Sequence, residues 1–223
     1  MTGDSTRRSA TAFAPASVCN VGVGFDILGH TVAALGDKVR ATRRVEPGVA
    51  IRSITGTVEN LPLAAEKNTA GMAVLAMCRE LGLPYGFDLD IEKGIPLGSG
   101  LGGSAASAVA GIVAATALVD EPLDRTELLK FAMQGEAVAS GSVHVDNIAP
   151  SLYGGLVLTV GIDNPFVKQI PVPDTIRCVL VHPHMVLPTR EARAILSKSV
   201  PLSDVIWQQA NLAGFLAGCF TND

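Results

Sequence analysis

The sequence predicts an α+β fold, on three observations. Strand-like and helix-like segments follow one another without the regular βα repeat that builds a doubly wound sheet. Phe87, Leu89 and Ile91 alternate with Asp88, Asp90 and Glu92, the pattern of a strand with one buried face. Met72, Leu75, Ala76 and Leu81 fall at helical spacing within 68–81, and Gly82 followed by Pro84 marks the stop.

The other elements are read in chain order. Residues 1–10 are polar and read as a frayed terminus. Thr11 to Phe13 open a strand that runs into 14–26, where Pro15, Gly22 and Gly24 signal a tight loop. Lys38–Val45 and Val49–Ile54 read as strands, with Glu46, Pro47 and Gly48 as the turn between them. An alanine-rich segment reaches Val119, and Leu123–Ala139 reads as a helix with Asp124 as N-cap and Glu127 completing a capping box. Pro150 reads as a turn before a strand at Tyr153–Val160. Residues 161–165 read as a crossing between two units. Ile176–Val181 reads as a strand, and Thr189–Ser197 and Ser203–Phe220 as helices.

Composition narrows the class. The chain has 223 residues, 48% hydrophobic and 17% charged, which suits a large buried core rather than disorder. A net charge of −4 argues against nucleic acid as the partner, while leaving room for a nucleotide held by backbone N–H groups. Cys19, Cys78, Cys178 and Cys219 show no CxxC spacing and read as reduced thiols. The longest apolar stretch, 105–119, is broken by Ser107, Gly111 and Thr116 and is shorter than the ~20 residues of a membrane span. With no signal-peptide pattern at the start, the expectation is a soluble cytoplasmic protein.

One segment carries chemistry. Pro96, Leu97, Gly98, Ser99, Gly100, Leu101, Gly102, Gly103 and Ser104 lie between a strand and the alanine-rich helix. Glycine permits positive φ and close backbone approach to a ligand, and the helix start offers unpaired N–H groups at its positive end. Together these suit a phosphate chain. A Walker loop is excluded because Gly-Lys-Ser/Thr is absent. A dinucleotide fingerprint fits formally through Gly98, Gly100 and Gly103, but Asp120 and Glu121 follow a helix rather than ending a strand. A turn without ligand is the remaining alternative.

The run from Pro96 to Ala106, with Ala105 and Ala106 included, resembles the second motif of the GHMP kinases, Pro-x-x-x-Gly-Leu-Gly-Ser-Ser-Ala, except that Gly103 replaces the first serine. Residues 14–29, around Asn20 and Asp26, resemble the first motif of homoserine kinases, which differs from that of mevalonate kinase and galactokinase. Lys67 and Asn68 resemble the adenine-side segment, 136–147 the segment that closes the active site, and 188–193 the substrate-carboxylate segment. The family's third glycine-rich motif does not occur before Asp223, so a truncated chain is expected. The resemblance implies a ribosomal-protein-S5 domain-2-like ATP-binding domain over 1–165, then an incomplete ferredoxin-like domain over 166–223.

The resemblance also implies roles. The loop from Pro96 to Ala106 holds ATP, and Asn68 contacts its adenine end or serves as a helix N-cap. Ser104 and Glu136 hold Mg²⁺, a cation that prefers oxygen ligands. Asn20 and Asp26 bind the amino and hydroxyl end of L-homoserine, Arg193 its carboxylate, and His144 assists there. Relatives such as mevalonate kinase place an Asp base eleven residues after the metal-binding Glu, where this chain has Asn147. The implied reaction proceeds without a strong enzymic base, the hydroxyl being positioned by Asn20, Asp26 and Asn147. Family habit implies a homodimer.

Overall fold

The computed structural model describes residues 7–140, 143–161, 164–181 and 189–223. One six-stranded sheet is built from β1 (Ser9–Cys19), β2 (Leu28–Arg44), β3 (Gly48–Gly56), β4 (Gly86–Lys93), β5 (Leu156–Val160) and β6 (Phe166–Ile170). Its order is β3-β4-β2-β5-β6, with β1 paired to β2. The helices are α1 (Thr69–Glu80), α2 (Gly103–Thr116), α3 (Arg125–Ser140), α4 (Val145–Tyr153), α5 (Thr189–Ala194) and α6 (Leu202–Thr221). The α+β expectation therefore holds. No helix among the described residues is long and apolar enough to cross a membrane.

β2 organises the sheet. It is 17 residues long and pairs with β1 along one edge at 36–42 and 29–31, from Ser9↔Thr42 to Cys19↔Gly29, with a register shift between the two stretches. Its other edge takes β4 at residues 38–44 and β5 at residues 28–30. The sequence reading begins this strand only at Lys38, because Gly29, Ala33, Ala34 and Gly36 leave Thr31 and Val32 as the only β-branched residues of the first half. The turn at Glu46–Gly48 does not make a hairpin. β3 pairs in parallel with β4, which lies between β3 and β2, and α1 supplies the crossover.

The strand pattern in β4 is realised. Phe87, Leu89 and Ile91 are buried against the helices. On the opposite face Glu92 pairs with Lys38 at 3.1 Å and Asp88 with Arg52 at 3.0 Å. The capping box at α3 is also realised, with Asp124 Oδ1 accepting from the N–H groups of Thr126 and Glu127 and Glu127 Oε2 accepting from Asp124 N–H at 2.8 Å. α2 runs through the middle of the core. Ala105, Ala106, Ala108, Ala110 and Ala115 are fully buried, small side chains that let β1, β2, α1 and α3 close around it.

Two expectations are corrected. Pro150 is not a turn: it lies inside α4. Proline removes the N–H that would serve the Asp146 carbonyl. That carbonyl instead faces Gly29 of β2, where any Cβ would lie 2.0 Å from it. Ile176–Val181 forms no strand, because none of the six strands offers it a partner and Val179 and Val181 stand exposed. The antiparallel pair β5–β6, Val160 opposite Phe166, carries the sheet past residue 165. Pro188 lies outside the described residues.

Candidate active site

The loop after β4 owes its shape to alternate glycines. Gly98, Gly100 and Gly102 take φ of 66°, 71° and 64°, the left-handed region that only glycine enters at little cost. Alternation of this kind turns successive N–H groups toward a common concavity suited to an anion. The loop is fastened to β1 through Ser17, whose N–H donates to the Leu101 carbonyl at 3.1 Å. A Cβ at Gly102 would sit 2.2 Å from Ser17 Oγ and 3.0 Å from Asn147 Oδ1, so the Ser17 and Asn147 side chains occupy the space that only glycine leaves free.

α2 starts directly from this loop with Gly102 as its N-cap. The N–H groups of Gly103, Ser104 and Ala105 have no carbonyl within the helix to serve. The Ala106 N–H donates to the Gly102 carbonyl at 2.8 Å, and its side chain is in the core. Ala105 and Ala106 thus present no side chain to the loop's concavity, and Leu97 projects outward, 72% exposed. Asn68 is the N-cap of α1: Oδ1 accepts from Ala70 N at 3.1 Å and Gly71 N at 3.2 Å, while Nδ2 donates to the Pro62 carbonyl at 3.1 Å.

A buried polar network supports the loop from below. Lys93 ends β4 facing inward, and its three donors are matched by Asp37 Oδ2, the Gly103 carbonyl at 2.8 Å and Ser107 Oγ at 2.8 Å. Asp37 also accepts from Ser107 Oγ at 2.6 Å and from the N–H groups of Gly94 at 3.0 Å and Ile95 at 3.2 Å.

At the mouth of the loop Ser104 Oγ donates to Glu136 Oε1 of α3 at 2.9 Å. Glu136 is only 4% exposed, and its Oε2 has no hydrogen-bond partner among the described residues. Burial pushes its carboxyl up to about 7, against the Ser104 hydrogen bond and the Lys93 charge, which lower it. An unmatched, buried carboxylate oxygen beside a hydroxyl is a fitting half-site for a hard cation, with phosphate and water oxygens able to supply the rest.

The second cluster surrounds the end of β1. Asn20 and Asp26 adopt φ of 58° and 62°, and Asn20 Oδ1 accepts from the Asp26 N–H at 2.8 Å. Arg193 of α5 forms a two-pronged ion pair with Asp26, Nη1 reaching Oδ2 at 2.9 Å. Asn147 Oδ1 accepts from Ser17 Oγ at 3.1 Å, and Asn20 Nδ2 reaches Cys19 Sγ at 3.2 Å. Burial, reinforced by the Asp146 charge, pushes the Cys19 thiol up to about 12. A cleft of about 630 Å³ joins Asn68, the glycine loop, Ser104, Glu136, His144 and Asn147.

Comparison with known proteins agrees with this geometry. Residues 68–155 match the GHMP kinases N terminal domain. The homoserine kinase of Xylella fastidiosa (strain M12) is 51% identical over 220 residues, covering 98% of this chain and 67% of that protein. The chain belongs to the homoserine kinase family. The homoserine kinase of Xanthomonas campestris is 50% identical over 216 residues, covering 97% of this chain and 66% of its own. The crystal structure of homoserine kinase from Cytophaga hutchinsonii superposes with a TM-score of 0.89 at 43% identity, over 98% of this chain and 69% of that one. The chain thus spans about two thirds of the length of these homoserine kinases.

Sequence reasoning missed Lys93, Asp37, Ser107, Ser17 and Asp146. Lys93 was within reach, since the alternation that buries Phe87, Leu89 and Ile91 carries residue 93 to the same face. Asp37 lies in the half of β2 that the pattern did not mark.

Proposed function

We propose that the protein transfers the γ-phosphoryl group of ATP to the side-chain hydroxyl of L-homoserine, giving ADP and O-phospho-L-homoserine. The observation that carries this reading is the run of left-handed glycines opening onto the first turn of α2, with the Ser104–Glu136 pair at its mouth. Phosphoryl transfer asks for positioning and charge stabilisation more than covalent chemistry, and this arrangement offers both.

In this reading the loop N–H groups and those of Gly103, Ser104 and Ala105 cradle the phosphates. Asn68 fixes the start of α1 beside the cleft and so shapes its adenine end. Ser104 and Glu136 hold Mg²⁺, which neutralises charge on the phosphates. Asn20, Asp26, His144 and Arg193 bind the amino acid, and Asn147 helps to aim its hydroxyl. The hydroxyl oxygen bonds to the γ-phosphorus as the bond to the ADP oxygen breaks, and the hydroxyl proton leaves to a phosphoryl oxygen. Asn147 accepts no proton as a base does, which supports a transfer without a strong enzymic base.

The same reading takes 1–165 as a ribosomal-protein-S5 domain-2-like unit and 166–223 as the start of a ferredoxin-like unit, in a cytoplasmic homodimer. A coupled ADP-release assay with L-homoserine, mevalonate and galactose tests it, run on this chain and on a version extended to the length of its relatives. The extended version turns over homoserine alone; turnover of mevalonate with homoserine ignored overturns the substrate assignment.

A further inference from the structure

Asp26 and Arg193 are 167 positions apart, yet each is the other's ion-pair partner. The pair is not an incidental surface contact. Asp26 takes the left-handed region, and its N–H donates to Asn20 Oδ1 at 2.8 Å, which ties down the backbone that carries the carboxylate. The Arg193 guanidinium also lies 5.5 Å from the centre of the Phe25 ring, and Gln208 Nε2 donates to the Val23 carbonyl. These contacts fasten 193–208 onto the 20–27 loop. The two side chains are 38% and 39% exposed, so solvent and solutes reach the pair, and such half-exposed pairs are weak enough to exchange partners.

We propose that Asp26–Arg193 is a charge latch that opens by double exchange, so that only a zwitterionic amino acid displaces it efficiently. This rests on the homoserine reading above. A carboxylate that takes Arg193 strands the Asp26 carboxylate, and an ammonium that takes Asp26 strands the guanidinium. A ligand carrying both charges repairs both halves at once. The acidic half has a further acceptor: Asp146, 2% exposed, has an Oδ2 without a hydrogen-bond partner among the described residues, and burial, with the Asp26 charge adding to it, pushes its carboxyl up. An ammonium arriving there meets the Asp26 carboxylate and, beside it, the unmatched Asp146 oxygen as a second acceptor. The latch thereby selects for α-amino acids over simple hydroxy acids and amino alcohols, and it lowers apparent affinity by the fraction of molecules in which the pair is closed.

The test uses the full chain and three ligands: L-homoserine, 4-hydroxybutanoate, which lacks the ammonium, and 3-aminopropan-1-ol, which lacks the carboxylate. Affinities are read by calorimetry, and exchange of backbone amides over 189–208 by mass spectrometry. The latch requires Asp26→Asn to bind 4-hydroxybutanoate at least about threefold more tightly than the unaltered protein, because Arg193 is released. Arg193→Gln is required to bind 3-aminopropan-1-ol more tightly for the mirror reason. Both substitutions raise amide exchange over 189–208. Gains in affinity are the decisive sign, since damage to the fold or loss of a contact lowers affinity. Unchanged or weaker analogue binding in both variants, with unchanged exchange, overturns the latch. If the gains appear while L-homoserine neither binds nor releases ADP, the latch stands and the substrate reading fails. If L-homoserine is phosphorylated but no gain appears, the reading stands and the latch fails.

Discussion

Lys93 donates 2.8 Å hydrogen bonds to both the Gly103 carbonyl and the Ser107 hydroxyl, fastening the last residue of β4 to the first two turns of α2. Its counter-charge, Asp37, is fully buried. Removing one partner of such a pair leaves an uncompensated charge in the interior, at a cost of about 3–5 kcal/mol. Lys93→Met is expected to lower unfolding free energy by that amount in urea titrations. The double variant with Asp37→Asn is expected to recover much of it, since no charge is left stranded. A double variant no more stable than Lys93→Met would show that the pair's charge is not what matters.

The raised carboxyl of Glu136 makes stability depend on pH in a defined direction. Its folded-state value, about 7, lies above the ordinary 4.5. The folded chain therefore holds the proton more tightly than the unfolded chain. The resulting stability is present below about 4.5 and is lost as pH rises toward 7. In buffer without divalent cations, Glu136→Gln should be more stable than the unaltered protein at pH 8, by up to about 3 kcal/mol, and similar near pH 5. Thermal melts at the two pH values check this. Lower stability of the variant at pH 8 would contradict the assigned burial cost.

Two loop glycines should respond differently to alanine. At Gly100, φ is +71° and a Cβ would meet nothing within 4 Å, so Gly100→Ala carries only the backbone penalty, about 1–2 kcal/mol. At Gly102 the same strain is joined by a Cβ 2.2 Å from Ser17 Oγ and 3.0 Å from Asn147 Oδ1. Gly102→Ala should therefore lower stability further and raise KM for ATP by about tenfold or more. Melting temperature together with initial-rate kinetics on both variants separates the two effects.

Cysteine labelling gives a fourth check. Burial pushes Cys19 up to about 12 and Cys78 up to about 11, so both stay protonated at pH 8, whereas Cys178 is exposed. An aromatic disulfide reagent at pH 8 should modify Cys178 well before Cys19 or Cys78, as read by peptide mass mapping. Rapid modification of Cys19 would show that the end of β1 opens readily.

Local rules made much of this architecture readable. Alternation located β4, the Asp124–Glu127 capping box located α3, and Asn68 marked the start of α1, because each depends on residues within a turn or two of one another. The glycine loop was readable for the same reason: its conformation is set by Gly98, Gly100 and Gly102 themselves. What escaped depends on distant partners. Asp37 meets Lys93 across 56 positions, and only tertiary packing lets a proline sit inside α4 opposite Gly29. Arg193 and Asp26 were each marked as substrate residues, but nothing local indicated that they would bind one another.

β2 has a further consequence. Asp37 beneath the phosphate loop and Gly29 against the Asp146 carbonyl belong to one continuous strand, eight positions apart. In the proposed reaction, the strand would act as a ruler that sets how far the donor's triphosphate stands from the acceptor's hydroxyl. The pairing with β1 shifts register between these two ends, across residues 32–35, so a residue added or deleted there would change the distance between them. Phosphoryl donor and acceptor would then be held soundly but out of reach of each other.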